Sequence, residues 1–218
     1  SQEAQYQKLL AANQAKAAAI RAALFPPRDA AAIPFGTALK YAQDAQKQTG
    51  VNPSLVLAIL TQESNLGANV GQCYLTNDAT GAGVGKNTGT PFANVMNPNR
   101  DVPPFLKLAS ALGFDPHHQV VSCPIASAGG WGGAMGPAQF IPSTWTLYGG
   151  TSANPWDPAD AIMAMSRYLG GLGAGAGGYT AQYTAAAKYY AGGAWASAGA
   201  SYGRQVMSRA ASIQQNID

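Results

Sequence analysis

From Phe35 onward, apolar residues recur at helical spacing in blocks that Gly, Pro, Asn and Asp separate. The spacing predicts a helix over 37–49 that ends at Gly50. A second opens at Asn52-Pro53, an N-cap followed by a proline at the first helical position, and runs through Glu63. Asp101 caps a proline-led segment that runs to Leu112 and stops at Gly113. Asp157-Pro158 starts a helix over 159–169 closed by Gly170-Gly171, Thr180 precedes one over 181–190, and a last one covers about 200–217. No period-two alternation bounded by turn residues is sustained, so the fold class reads as all-α.

Two stretches depart from this rhythm. Residues 2–24 are rich in Gln, Ala and Lys, with Tyr6, Leu10, Asn13, Ala17, Ile20 and Leu24 at alternating steps of four and three, and Pro26-Pro27 stops the run. That is a coiled-coil-like seam, a little over three heptads long and too short and Ala-rich to be stable alone. It implies either a helical partner for residues 2–24 or docking on the rest of the chain; an amphipathic capping helix fits equally. The second stretch, 66–132, is crowded with Gly, Asn, Thr and Pro around one short helix, and reads as a long insertion of functional or mobile loop. The expected organisation is an N-terminal helix over 1–27 and a helical domain over 34–218 carrying the insertion.

Charge changes little. Thirteen Lys and Arg against ten Asp and Glu give a net charge of +3, and the basic residues are scattered from Lys8 to Arg209. Nucleic acid is therefore not an expected partner, while a mild positive bias suits an anionic polymer such as a cell wall. No run reaches the eighteen or more apolar residues of a membrane span and no signal peptide is recognisable. A chain that begins at Ser1 inside a helical pattern reads as a mature or trimmed product. Two cysteines, Cys73 and Cys123, fit one disulfide of an exported protein. Zinc would need further ligands, and only the adjacent His117 and His118 are available, at none of the usual spacings. No metal or organic cofactor is expected.

The chemistry concentrates on one side chain. Only two glutamates occur, Glu3 in the polar N-terminal helix and Glu63 at the end of an apolar one. On a helix, Val56, Ile59 and Leu60 share a face with Glu63, which turns its carboxyl toward the core. Burial disfavours the charged form and suits a general acid, whereas a plain helix-terminal Glu would pack its stem and send its head to water. Competing motifs fail. Gly173-x-Gly175-x-x-Gly178 follows a helix and not a strand, Gly81 to Lys86 lacks the Ser or Thr a phosphate loop needs after its lysine, and no nucleophile-elbow serine occurs.

Three segments are informative together: Gln62-Glu63-Ser64-Asn65, then Gly132-Gly133-Ala134-Met135-Gly136-Pro137-Ala138-Gln139-Phe140-Ile141-Pro142-Ser143-Thr144-Trp145, then Ala187-Lys188-Tyr189-Tyr190-Ala191-Gly192-Gly193. With Asn154-Pro155-Trp156-Asp157-Pro158-Ala159-Asp160-Ala161-Ile162 and the closing Tyr202-Gly203-Arg204-Gln205-Val206, they resemble the lytic transglycosylases of the goose-lysozyme-like superfamily, and most of all the type B enzymes, over about 35–217. The resemblance implies a lysozyme-like fold that cleaves peptidoglycan glycan strands between N-acetylmuramic acid and N-acetylglucosamine and leaves a 1,6-anhydromuramyl end. It matches Glu63 to the single catalytic acid/base, Gln139 to the glutamine lining the glycan site and Tyr189 to the tyrosine of a Tyr-Asn pair whose asparagine is Tyr190 here. Gly130 stands where type B enzymes often have a serine. Ser64 and the backbone around Met135 and Gly136 are expected to contact sugars, with Trp131, Tyr189 and Tyr190 stacking on sugar faces, while Trp145, Trp156 and Tyr168 read as core.

Glycosidic cleavage ordinarily uses two carboxylates, and few are on offer. Asp157 and Asp160 read as helix-start residues, Asp101 as a cap, Asp115 as a turn, Asp29 and Asp44 as surface and Asp218 as the terminus. Only Asp78 is left to face Glu63, which keeps a hydrolytic muramidase on the same bond as the alternative; a non-catalytic wall-binding module is the reading from another class. A wall substrate places the protein outside the cytoplasm, in the periplasm or at the extracellular wall.

Overall fold

The computed structural model describes residues 2–24, 31–125, 130–150 and 152–218, with the side chains of 14, 15 and 17–24 left aside. Among the described residues the helices are α1 (Gln2–Leu24), α2 (Phe35–Thr49), α3 (Pro53–Ser64), α4 (Val102–Leu112), α5 (Pro142–Tyr148), α6 (Pro158–Gly171), α7 (Tyr179–Ala191) and α8 (Ala200–Ile217). The mostly helical class holds, with one local addition. Three short antiparallel strands, β1 (Cys73–Leu75), β2 (Gly83–Gly85) and β3 (Pro91–Phe92), form a sheet in that order within the insertion. Strands of two or three residues are too short to display alternation, and β2, Gly-Val-Gly, has almost no side chains with which to show it.

The chain divides into two compact units, each assembled from separate segments. One comprises Ala30–Asn69, Pro137–Gln139 and Pro158–Asp218; the other comprises Ser1–Asp29, Val70–Gly136 and Phe140–Asp157. In the first, α3 is the central helix. Asn52 accepts the Ser54 N–H at 3.0 Å and Pro53 occupies the first turn, as the sequence implied. Every residue from Pro53 to Leu60 is buried, so this helix is apolar on all sides because it is surrounded, by α2, α6 and α8. Asn65 ends it in the left-handed conformation at φ 51°. Ala38, Ala42 and Ala45 form the face that α2 buries, small enough for close approach to α6. Helix α8 packs on α7 in the same manner: a methyl group at Gly203 would lie 2.8 Å from the Tyr183 ring.

In the second unit the insertion, read from the sequence as a long functional or mobile loop, contributes buried apolar residues. Leu75, Val95, Met96 and Phe105 are wholly buried, and rings run in contact from Phe105 to Phe114 at 5.7 Å and from Phe114 to Trp156 at 5.2 Å. Trp145, against Phe140 at 5.6 Å, and Trp156 are core as read. Cys73 and Cys123 form the disulfide, which excludes the zinc reading through them. Beside it Cys73 pairs with Val121 in both directions, at 3.0 and 2.9 Å. His117 and His118 are taken up by carboxylates, Asp78 at 2.9 Å and Asp115 at 2.6 Å, and no cluster of three metal-ligating side chains occurs among the described residues.

Asp101 is corrected in its target. It precedes α4 but makes no side-chain cap there. Its wholly buried carboxylate instead accepts the Ser143 N–H in the first turn of α5 at 3.1 Å, while Arg100 holds the other oxygen at 2.7 and 2.8 Å. Helix α5 is only seven residues long, so a cap supplied from another helix suits a segment that its own sequence barely supports. Helix α1 forms as predicted and comes within reach of α4. Its seam is open where it is described: Tyr6 is 60% and Leu10 38% exposed. The seam side chains of Ala17, Ile20 and Leu24, and Pro26-Pro27 and Asp29, lie outside the described residues. No helix among them is long and apolar enough to cross a membrane.

Candidate active site

Glu63 sits in the last turn of α3, one residue before the helix ends, where the carbonyl end of the helix is unfavourable for negative charge. Its carboxyl is largely removed from water, and that burial raises its pKa above the ordinary value for a glutamate. A single hydrogen bond works the other way: Tyr202, in the first turn of α8, donates its hydroxyl to Glu63 Oε1 at 2.5 Å. Burial, and then the charge of Glu63, push the Tyr202 phenol far above its usual range, so it stays a donor at any working pH. No second carboxylate is among the groups that shift Glu63.

Tyr202 is the residue that sequence reasoning passed over. It lies in the matched closing segment, yet no spacing rule connects it to Glu63, 139 positions away. Packing of α8 along α3 makes the connection. Tyr190, standing where the resembling enzymes have asparagine, is stacked on this same phenol with centroids 4.7 Å apart and planes 11° from parallel. One of its faces is thereby used, and the side chain remains 61% exposed.

Gln139 is held in a conformation that a glutamine seldom adopts, φ 56°. The two residues before it are fastened from both sides. Ser64 donates to the Pro137 carbonyl at 2.6 Å and accepts the Gly67 N–H at 2.9 Å; Tyr189 donates to the Ala138 carbonyl at 2.6 Å. A strained backbone persists when its surroundings over-determine it, and these two hydroxyls do so here. Both hydroxyls are therefore engaged within the protein. Ser64 is buried and its hydroxyl is spent on the fold. The Tyr189 hydroxyl is spent as well; burial foremost, then the Glu63 charge, hold its pKa well above the usual value, so it remains a donor. Its ring meets Tyr168 at 5.2 Å.

The remaining expected contacts lie in the other unit. Met135 is wholly buried and its N–H is bonded to the Phe140 carbonyl at 2.9 Å. Gly136, at φ 65°, lets the Pro155 carbonyl approach: a methyl group there would stand 1.8 Å from that oxygen. Trp131 is 41% exposed, and Gly130 accepts from Asn94 through its carbonyl. Asp78, the alternative partner for Glu63, carries the His117 ring on its carboxylate.

The family model of the transglycosylase SLT domain matches residues 35–214. None of the curated proteins matches the chain. Among solved structures, a 36 kDa muramidase/transglycosylase aligns at 16% identity over 90% of this chain and 76% of its own, with a TM-score of 0.51. An Escherichia coli lytic transglycosylase in complex with calcium aligns at 16% identity over 90% and 75%, with a TM-score of 0.50. The soluble lytic transglycosylase SltB1 from Pseudomonas aeruginosa aligns at 24% identity over 62% and 43%, with a TM-score of 0.45. The first two share the lysozyme-like fold described above.

Proposed function

The chain belongs to the transglycosylase SLT domain family, and from that membership we propose that it cleaves the β-1,4 bond between N-acetylmuramic acid and N-acetylglucosamine in peptidoglycan, with Glu63 as sole acid and base. The observation that carries this reading is the state of Glu63: a carboxyl kept toward its neutral form by burial, with a phenol as its partner and no carboxylate acting on it. Such a group donates a proton well. No carboxylate among the described residues is a partner of Glu63, which supports a substrate that supplies the missing groups.

In the first step Glu63 gives its proton to the glycosidic oxygen, and the bond to the muramyl C1 breaks. The muramyl 2-acetamido oxygen shares the positive charge at C1. In the second step the Glu63 carboxylate takes the proton of the muramyl C6 hydroxyl, whose oxygen closes on C1 as the acetamido oxygen leaves. Glu63 ends protonated and no water is consumed. Tyr202, fixed on Oε1, leaves Oε2 as the oxygen that exchanges the proton, and it stabilises the carboxylate present between the steps. Gln139, pinned by Ser64 and Tyr189, positions the glycan. Tyr190 offers an exposed ring to a sugar face; Trp131, in the other unit, is likewise an exposed ring suited to a sugar.

A wall substrate and a disulfide together support an exported protein, periplasmic or extracellular. The open Tyr6 and Leu10 seam of α1 supports a helical partner. Mass analysis of digested peptidoglycan tests the chemistry. Muropeptides lighter by one water than hydrolysis products are expected; reducible muramyl ends would transfer the assignment to a muramidase.

A further inference from the structure

Helix α8 does more than carry Tyr202. Along it runs an open groove of about 630 Å³ lined by Gln62, Arg204, Gln205, Ser208, Arg209 and Ser212. Gln62 donates to Gln205 across it at 3.2 Å. All six side chains are polar, the only charged ones are the two arginines, and no carboxylate lines it. Both guanidinium groups are exposed and neither is in an ion pair among the described residues. Three other cations have carboxylate partners, Lys40 and Lys47 on Asp44 and Arg100 on Asp101. Two uncompensated arginines in one concave polar surface are suited to an anion, and a guanidinium matches a carboxylate in two-point geometry.

Position says which anion. Gln62 adjoins Glu63, and Gln205 and Arg209 lie three and seven residues beyond Tyr202, on the same face of α8. At a rise of 1.5 Å per residue the groove extends to roughly 10 Å from the phenol that holds the acid. An extended peptide covers that distance in about three residues. In peptidoglycan the muramyl residue at the broken bond bears just such a peptide stem, with free carboxylates along it, whereas the glycan backbone around it is neutral.

We propose that this groove binds the carboxylates of the muramyl peptide stem, and that Arg204 and Arg209 make the enzyme prefer peptide-bearing strands over naked glycan. The proposal rests on the reading of Glu63 given above, and its test separates the two. Purified peptidoglycan and the same strands stripped of peptide by an amidase are digested by wild type and by the Arg204→Gln/Arg209→Gln variant, with thermal melts to show that both are folded. On peptide-bearing strands KM should rise about tenfold, equivalent to about 1.4 kcal/mol, with kcat little changed and the effect shrinking at high salt. Naked strands should be cut equally well by both proteins, and Arg204→Lys/Arg209→Lys should recover most of the loss. Equal effects on both substrates, no effect on either, or a wild type indifferent to peptide would each overturn the proposal. Calorimetry with a free stem peptide and its carboxamide reads the groove without catalysis: wild type should bind the acid, and neither the variant nor the amide should show binding. A protein that binds the peptide but yields no anhydro product would sink the proposed activity and leave the groove standing. Loss of binding to a phosphate-bearing wall polymer, with the peptide unaffected, would place a phosphate there and refute the peptide.

Discussion

Replacing Tyr202 by Phe removes one oxygen and keeps the rest of what the side chain does, including the stack with Tyr190 at 4.7 Å. That oxygen donates to Glu63 Oε1 at 2.5 Å, and this bond lowers the carboxyl pKa that burial raises. A hydrogen bond to a charged group contributes about 1.5–3 kcal/mol. The lower end applies because a neutral carboxyl also accepts from the phenol, if less strongly. Since 1.36 kcal/mol corresponds to one pH unit, the alkaline limb of kcat/KM should move to higher pH by about one unit. That limb reports loss of the Glu63 proton in the free enzyme. On the acid plateau, where Glu63 already carries its proton, the variant should lose less than about tenfold. The assay is release of soluble muropeptides from purified peptidoglycan across about pH 4 to 10, with circular dichroism and thermal melts alongside. A folded variant whose limb stays in place would refute the assignment of Tyr202 to the titration of Glu63. Equal loss at every pH, without displacement, would make Tyr202 a substrate-positioning residue instead.

Glu63→Gln should abolish turnover in a folded protein, and residual lytic activity in digests would move the catalytic role elsewhere. It should also remove one pH dependence of stability. Burial holds the folded-state pKa of Glu63 above the unfolded value, so the native state binds the extra proton between the two. Stability is therefore fully present below the unfolded value and declines as pH rises through the folded one. Thermal midpoints of the variant should thus gain on wild type from acid toward neutral pH; a constant difference would contradict the desolvation of Glu63. Gln139→Gly relieves a left-handed backbone that costs about 1 kcal/mol, so the midpoint should hold or rise while kcat/KM falls at least tenfold, and an equally active variant would remove Gln139 from the site. Asp101→Ala removes the cap from the first turn of α5 and leaves the half-exposed Arg100 guanidinium to water. It should cost about 1–2 kcal/mol in denaturant unfolding, and a loss under about 0.5 kcal/mol would show that the cap contributes little.

Periodicity, caps and breakers were sufficient to place α2, α3, α4, α6, α7 and α8, because each is long enough to carry an apolar pattern, all-round in α3, and is bounded by residues with a local conformational reason to stop. Glu63 was legible for the same reason: three apolar residues behind it on one helix face determine where it points. Helix α5 was not, since seven residues contain no stripe and its cap is Asp101 from a distant segment. Nor was the sheet of the insertion, whose strands are held by pairing with each other and not by pattern. At the site the division is sharper. Residue types and motif order pointed to Glu63, Gln139, Ser64, Tyr189 and Tyr190, but not to what each one touches. Ser64 and Tyr189 proved to bind backbone carbonyls and Tyr190 to lie on Tyr202, while Tyr202 reached the acid from the far end of the chain. Local sequence sets which way a side chain leaves its own helix; which partner it meets depends on packing between helices remote in sequence, and no periodicity encodes that.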